Sequence, residues 1–216
     1  MIDFFENGLC AYCNLAIRDL SRIENYFDSI ERLLVDTTID IEKNYHSRLT
    51  LLEGDEQHDL GQVYYDDLIE NAIMPSIIHN QSIVVTLSSF VEHSLFQLCI
   101  KLSDITRNEF KLVKRKSKIS QCMDYLREIL NINQCSNLVK YYQVRNEIVH
   151  NSGVSSHCFS KVAMGFPREQ IKSIVGSRIE VSSVFISEYL KVIRDYFEKL
   201  EVAIQNFIKS YLQKNA

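Results

Sequence analysis

The chain has 216 residues and a formal net charge of −4, with 46% hydrophobic and 24% charged residues, no Trp, six Gly and two Pro. This composition is too apolar for a disordered chain and too poor in turn-forming residues for a many-stranded sheet protein. The acidic balance argues against a surface that binds polyanions over its whole extent, so any contact with a nucleic acid has to be local. The length fits one domain with a sizeable core.

The sequence favours a cytoplasmic protein that makes no membrane contact. No uninterrupted apolar run approaches the length of a membrane span, and the amino terminus carries acids where a secretory signal carries Lys or Arg. Six cysteines are scattered through apolar segments, which is typical of reduced core thiols. Cys10 and Cys13 have the spacing of a zinc-ligand pair, but no second pair follows. We therefore predict no metal site and no cofactor.

The first half of the chain predicts two long helices. Apolar residues repeat every seven positions from Ile2 to about Leu34, which predicts a helix packed lengthwise against another long helix. Residues 53–61 hold two glycines and clustered charge, and they predict a loop. Pro75 is expected in the first turn of a second helix that runs to about Leu102. Its apolar residues recur at intervals of three and four, which is the pattern of a bundle core.

A basic stretch follows this second helix. Residues 107–118 contain six Lys or Arg side chains and one acid, Glu109. A solvated loop or helix face explains such a stretch, and so does a track for RNA phosphates. In the second case Lys114, Arg115 and Lys116 are the expected RNA contacts.

The second half of the chain predicts further helices, over residues 119–130 and 134–149, and Gly153 supplies the stop for the second of these. Residues 165–167 predict a turn, and residues 171–181 could form a small β-hairpin. Ser182 or Ser183 is expected to cap a last long helix that extends almost to the carboxyl terminus. The fold class is thus all-α, an up-and-down bundle of long antiparallel helices with room for one small hairpin before the last helix.

The helix over residues 134–149 carries the strongest chemical pattern. Gly-rich phosphate loops, nucleophile elbows and His-Glu-x-x-His motifs are absent from the sequence. On this helix Arg145 and Asn146 precede His150 by five and four residues. Asn146 and His150 therefore share a face, Arg145 lies on its flank, and Tyr142 falls on the same arc.

The segment Arg145-Asn-Glu-Ile-Val-His-Asn-Ser-Gly153 resembles the signature of HEPN domains, the "higher eukaryotes and prokaryotes nucleotide-binding" superfamily. The hallmark of that family is Arg, a polar residue, three to five further residues and then His. The resemblance extends more loosely to residues 75–216, and residues 1–60, a long helix and a loop, look like an extension of one domain that spans residues 1–216.

The resemblance implies a metal-independent endoribonuclease that acts as a homodimer on RNA. His150 is then expected to transfer protons, and Arg145 is expected to bind the scissile phosphate. Asn146 is expected to orient the side chain of Arg145 or of His150, and Tyr142 is a further candidate RNA contact. The products are expected to carry a 2′,3′-cyclic phosphate and a 5′-hydroxyl. Members of the family in bacteria often serve as toxins or phage-defence effectors, which implies an antitoxin or defence-complex partner.

Two other interpretations of the same residues stay open. Arg145 could pair with a carboxylate such as Glu92, or Glu147 of a neighbouring molecule, while His150 bonds carbonyls at a helix end. The chain could also be a non-catalytic helical module for dimerisation or ligand binding that partners an antitoxin or a nucleotidyltransferase. The acidic net charge favours such a module, and the Arg145 and His150 pair favours catalysis.

Overall fold

The computed structural model of the chain describes residues 4, 6–133 and 135–215. These residues form an all-α bundle with one short antiparallel hairpin, so the predicted fold class is confirmed. The elements in chain order are α1 Tyr12–Leu49, α2 Asp55–Leu68, a π-helical turn Ile69–Ile73, α3 Met74–Thr106, α4 Lys118–Leu130, α5 Ser136–His150, α6 His157–Ala163, β1 Ile171–Lys172, β2 Glu180–Val181 and α7 Ser183–Asn215.

Helix α3 lies at the centre of the bundle and packs against α1, α4, α5 and α7. The apolar positions predicted for its core face are all buried, namely Val84, Leu87, Val91, Leu95, Leu98 and Leu102. Each fully buried side chain of this size stabilises the fold by about 1.5–3 kcal/mol relative to an exposed one. The spacing of three and four residues therefore identifies the helix that organises the core.

Helix α1 begins later and extends further than the predicted range of residues 2–34. Its described part starts at Tyr12 and continues to Leu49, and Ile2 lies outside the described residues. The predicted seam is buried over its first half, where Cys13, Leu20 and Phe27 face the core. Beyond Phe27 the helix has no fully buried residue and packs against α2.

The predicted loop over residues 53–61 is wrong, because α2 already begins at Asp55. Asp55 and Glu56 stand in its first turn, where carboxylates favour the positive end of the helix dipole. Leu60 is buried against α1, and Gly61 is helical. The clustered acids thus mark a helix start, and only residues 50–54 form the turn.

Pro75 stands in the first turn of α3, as predicted, but the chain does not break there. Helix α2 passes through the π-helical turn Ile69–Ile73 directly into α3. The continuous helical segment Asp55–Thr106 is long and apolar enough to cross a membrane by length and composition. Polar residues interrupt this segment, so the sequence shows no unbroken apolar run there. Half of its most apolar 18-residue window is buried in the bundle, as expected for a core helix.

The remaining elements agree with the predicted ones apart from α6. Helices α4 and α5 match the predicted ranges within two residues, although Gln134, the predicted start of α5, lies outside the described residues. Strands β1 and β2 pair with Ile171 opposite Val181, which confirms the hairpin. The hydroxyl of Ser182 accepts a hydrogen bond from the Phe185 amide at 3.3 Å and so caps α7. Helix α6 was not predicted, since its seven residues are too few for a clear periodicity.

Buried and half-buried tyrosines make the stability of this fold sensitive to alkaline pH. Burial is the largest cause that raises the pKa of six tyrosines, namely Tyr12, Tyr125, Tyr141, Tyr142, Tyr189 and Tyr196. The unfolded chain loses these protons near pH 10, whereas the folded protein keeps them to higher pH. Their contribution is therefore fully present below about pH 10 and is lost as the pH rises, by up to about 1.4 kcal/mol per pH unit for each tyrosine. Urea unfolding at a series of pH values checks this expectation, and a free energy of unfolding that stays constant up to pH 12 would contradict it.

Candidate active site on helix α5

Helix α5 is fixed to the bundle by one apolar face. Leu138, Val144 and Ile148 are buried, and the ring of Tyr141 stacks on Tyr189 of α7 with 4.4 Å between the centroids and 2° between the planes. The hydroxyl of Tyr189 in turn lies 3.0 Å from the hydroxyl of Ser88 in α3. This packing leaves the motif residues on the flank of α5 that is not covered by the core.

Arg145 is half-buried and holds its guanidinium next to its own helix. Its Nη1 donates a hydrogen bond to Oδ1 of Asn146 at 3.1 Å, and its Cζ lies 5.4 Å from the ring centroid of Tyr142. Its Nε is buried and has no hydrogen-bond partner in the described part of the chain. Among the residues that the structure describes, Arg145 forms no ion pair with a carboxylate. Its positive charge is therefore available for an anion.

Glu92 of α3 holds the tyrosine beneath Arg145. The Tyr142 hydroxyl donates a hydrogen bond to Oε2 of Glu92, and Lys118 Nζ lies 3.4 Å from the other oxygen. Lys118 also lies 4.3 Å from the ring centroid of Phe96. Burial, followed by the hydrogen bond and charge of Glu92, raises the pKa of Tyr142 to about 12, and the charge of Arg145 opposes this. Glu92 thus contacts Tyr142 and Lys118 rather than Arg145.

His150 is the last residue of α5 and is exposed. Within the described parts of the chain, no hydrogen bond, ion pair or ring contact of its imidazole is present. The carbonyls at this helix end accept from the backbone instead, since the amide of Asn151 donates to Glu147 and that of Gly153 donates to Ile148 at 2.8 Å. The imidazole is therefore not occupied in capping the helix.

The chain beyond His150 turns sharply and is tied to α3. Ser152 and Gly153 both have positive φ, and Gln81 Nε2 donates to the carbonyl of Ile179 at 2.8 Å and to that of Gly153 at 3.5 Å. The carboxylate of Glu147 accepts a hydrogen bond from the Ser156 amide at 2.8 Å, which fixes the start of α6. The helix end that carries His150 is thus held by contacts on both sides.

The three basic residues proposed as RNA contacts lie apart from the motif. Lys114, Arg115 and Lys116 are exposed in the connection between α3 and α4. No hydrogen bond or ion pair of the described residues joins them to α5 through their side chains. Lys118, at the end of the basic stretch, does contact the site, because it pairs with Glu92. The sequence alone did not predict Lys118 as a site residue. A single sequence holds no signal that pairs Lys118 or Tyr142 with Glu92, because the three residues lie on different helices.

The motif lies outside the larger clefts of the bundle. Arg145, Asn146 and His150 line neither of two clefts of about 960 and 600 Å³, the larger between the α4–α5 connection and α7 and the smaller beside the hairpin. The described residues contain no group of three or more His, Cys, Asp or Glu side chains that could hold a metal ion. Arg145, Asn146 and Tyr142 are brought together, and His150 stands at the same helix end.

Comparisons of the chain with protein-family models, curated proteins and solved structures give no match. The resemblance to HEPN domains therefore rests on the motif in α5 and its helical surroundings. Among the described residues, the site combines an arginine without an anionic partner, an exposed imidazole and a tyrosine that donates a hydrogen bond to a carboxylate.

The Glu92 contact predicts a measurable change in Tyr142. We expect Glu92→Gln to lower the pKa of Tyr142 from about 12 toward its ordinary value by about one pH unit, because the acceptor charge that disfavours the phenolate is removed. Absorbance titration of tyrosinate, with Tyr142→Phe to identify the signal, measures it. Glu188→Gln is the matched control, since Glu188 raises the pKa of Tyr141 instead. An unchanged pKa of Tyr142 in Glu92→Gln would contradict the contact.

Proposed function

We propose that this chain is a metal-independent endoribonuclease of the HEPN type that cleaves RNA by attack of the vicinal 2′-hydroxyl. The observation that supports it best is Arg145, which has no carboxylate partner among the described residues and lies on the same helix end as the exposed imidazole of His150. A guanidinium fork fits two oxygens of a phosphate, and an imidazole transfers protons near neutral pH.

The proposed reaction needs two proton transfers. One neutral imidazole takes the proton of the 2′-hydroxyl as its oxygen forms a bond to phosphorus, and a protonated imidazole gives its proton to the 5′-oxygen as the bond from phosphorus to that oxygen breaks. Arg145 stabilises the additional negative charge of the phosphorane, and Asn146 holds the guanidinium in place. The products are a 2′,3′-cyclic phosphate and a 5′-hydroxyl, and no metal takes part.

A second copy of the chain supplies the second imidazole in this proposal, since each copy has one His150. Exposed apolar side chains next to the motif support such a dimer. Val149 precedes His150, and Val154, Ile174 and Val175 are exposed on the loop and hairpin that pack beside it. A cluster of exposed apolar side chains beside a polar site is typical of an interface.

The wider proposal places the protein in the cytoplasm as a toxin or a phage-defence effector with an antitoxin or defence-complex partner. RNA would extend from the motif over Tyr142 toward Lys114, Arg115 and Lys116, because Lys118 connects the basic stretch to the Glu92 and Tyr142 pair. Exposed lysine and arginine side chains bind RNA phosphates without reading the sequence.

A non-catalytic binding module is the second candidate. It is favoured by the carboxylate of Glu92, which lies next to the tyrosine under Arg145 and repels phosphate, and by the net charge of −4. In that case Arg145 and His150 would bind a partner protein or a small anion, and no RNA would be cleaved.

Expression in bacteria tests the proposal. We expect the wild-type chain to arrest growth and RNA with 5′-hydroxyl ends to accumulate, whereas cells that express His150→Ala grow normally. His157→Ala is the matched control, because His157 is also exposed but lies outside the motif on α6, and it is expected to arrest growth like the wild type. Equal growth with all three folded proteins would favour the binding module.

A further inference from the structure

A second cleft, of about 600 Å³, lies away from the motif between α1, the start of α3, the hairpin and the first residues of α7. We call it the hairpin cleft. Four carboxylates line it, Glu31 and Glu42 from α1 and Glu169 and Glu180 from the two sides of the hairpin, against one cation, Lys172. The hairpin cleft therefore carries a net negative charge of about three.

The buried amide of Asn80 adds a fifth hydrogen-bond acceptor to the lining of the hairpin cleft. Asn80 lines the hairpin cleft with only 3% of its surface exposed, and its Nδ2 donates to the carbonyl of Val181 at 2.8 Å. Its Oδ1 is buried, and no described residue donates a hydrogen bond to it. A buried acceptor without a donor is costly. A rotation of the Asn80 side chain that turns Oδ1 toward the cleft would let a hydrogen-bond donor in the cleft satisfy it.

Most of these carboxylates also lack a cation. Lys172 pairs with Glu180 at 2.9 Å, and in the described part of the chain Glu31, Glu42 and Glu169 form no ion pair. Burial raises the pKa of Glu31, and the nearby charge of Asp28 raises it further, which is the behaviour of a carboxylate that has no cationic partner.

The arrangement of the acceptors selects the class of ligand. Glu31 and Glu42 are eleven residues apart on α1, which separates them by about 16 Å along the helix axis. The described residues nowhere bring three acidic, His or Cys side chains close enough to hold a metal ion. Apolar side chains also line the cleft, and they are Leu68, Ala72, Ile73, Ile77 and Ile171. An extended cation whose charges are separated by apolar spacers fits this pattern better than a single metal ion.

We propose that the hairpin cleft binds an alkyl polyamine. Its ammonium groups bind the carboxylates of α1 and of the hairpin, one of them donates to Oδ1 of Asn80, and its methylene chains lie on the apolar floor. Asn80 is followed in α3 by Gln81, which binds the carbonyls of Ile179 and Gly153. The ligand therefore bridges α1 to the hairpin that supports the chain after His150.

Calorimetric titration of the purified full chain with spermidine at low ionic strength tests this proposal. We expect one saturable site whose affinity falls about tenfold in the double variant Glu31→Gln, Glu42→Gln, because two ion pairs are lost. Lys172→Gln is expected to bind severalfold more tightly, since it removes the competing cation from Glu180. Glu198→Gln is the control with an exposed carboxylate outside the cleft, and its affinity is expected to equal that of the wild type.

Hydrogen exchange gives a second readout that does not depend on any ribonuclease activity. Bound spermidine is expected to slow amide exchange in residues 171–181. An absence of saturable binding, equal affinity in the double variant and the wild type, or Mg²⁺ that binds the same site as tightly as spermidine would each overturn the proposal. Binding to a Lys-rich or Arg-rich peptide in preference to spermidine would also overturn it.

Discussion

Replacing His150 by alanine is expected to lower the rate of RNA cleavage by about 10²–10⁴-fold, the contribution typical of proton transfer by a positioned side chain. The same change is expected to alter the free energy of unfolding by no more than about 0.5 kcal/mol, because the imidazole is exposed and lacks a described partner. A large loss of activity at constant stability separates a catalytic histidine from a structural one.

Single-turnover cleavage rates and urea unfolding of the same preparations measure both quantities. His157→Ala serves as the control, because it removes an exposed imidazole seven residues away and should leave both unchanged. A His150→Ala protein that cleaves RNA as fast as the wild type would remove His150 from the mechanism. A loss of several kcal/mol in stability would instead assign His150 a structural role.

Replacing Gly153 by alanine is expected to destabilise the fold by about 2–5 kcal/mol. A side chain at its φ of +74° costs about 1–2 kcal/mol. The new Cβ would also lie 2.5 Å from Oε1 and 2.9 Å from Nε2 of Gln81. Gln81 is 7% exposed and its Nε2 is bonded to Ile179, so it has little room to move, and crowding of this kind costs about 1–3 kcal/mol.

Gly176 provides the matched control for this change. Its φ is +82°, but no atom lies within 4 Å of a Cβ built there, so Gly176→Ala should cost only the backbone strain of about 1–2 kcal/mol. The midpoint of urea unfolding, compared between the two variants, measures the difference. Equal losses would show that the contact between Gln81 and Gly153 does not constrain the helix end that carries His150.

Local patterns in the sequence predict that long helices are present, but they do not give the ends of α1 or the connection from α1 to α2. The leucines and valines of α3 repeat with the period of a helix, and burial of that face requires no information from elsewhere in the chain. Residues 53–61 wrongly predict a loop, because glycine and clustered charge are typical of loops. Asp55 and Glu56 in fact stabilise a helix start, and Leu60 packs on α1, a contact that a local pattern does not reveal.

The candidate site was predictable in part for the same reason. Arg145, Asn146 and His150 lie on one helix, so the spacing of the residues predicts their arrangement. The contacts of Glu92 with Tyr142 and Lys118 join three helices and depend on how the bundle packs. The buried amides of Asn80 and Gln81 likewise bind carbonyls about a hundred residues away, which helical periodicity does not reveal.

Incubation of the purified wild-type protein with RNA in excess chelator, followed by mapping of the new ends, tests whether this chain is a metal-independent ribonuclease. We expect cleavage that resists the chelator and leaves 2′,3′-cyclic phosphate and 5′-hydroxyl ends. Cleavage that leaves 5′-phosphate ends, activity that the chelator abolishes, or no cleavage by a folded, dimeric protein would contradict it.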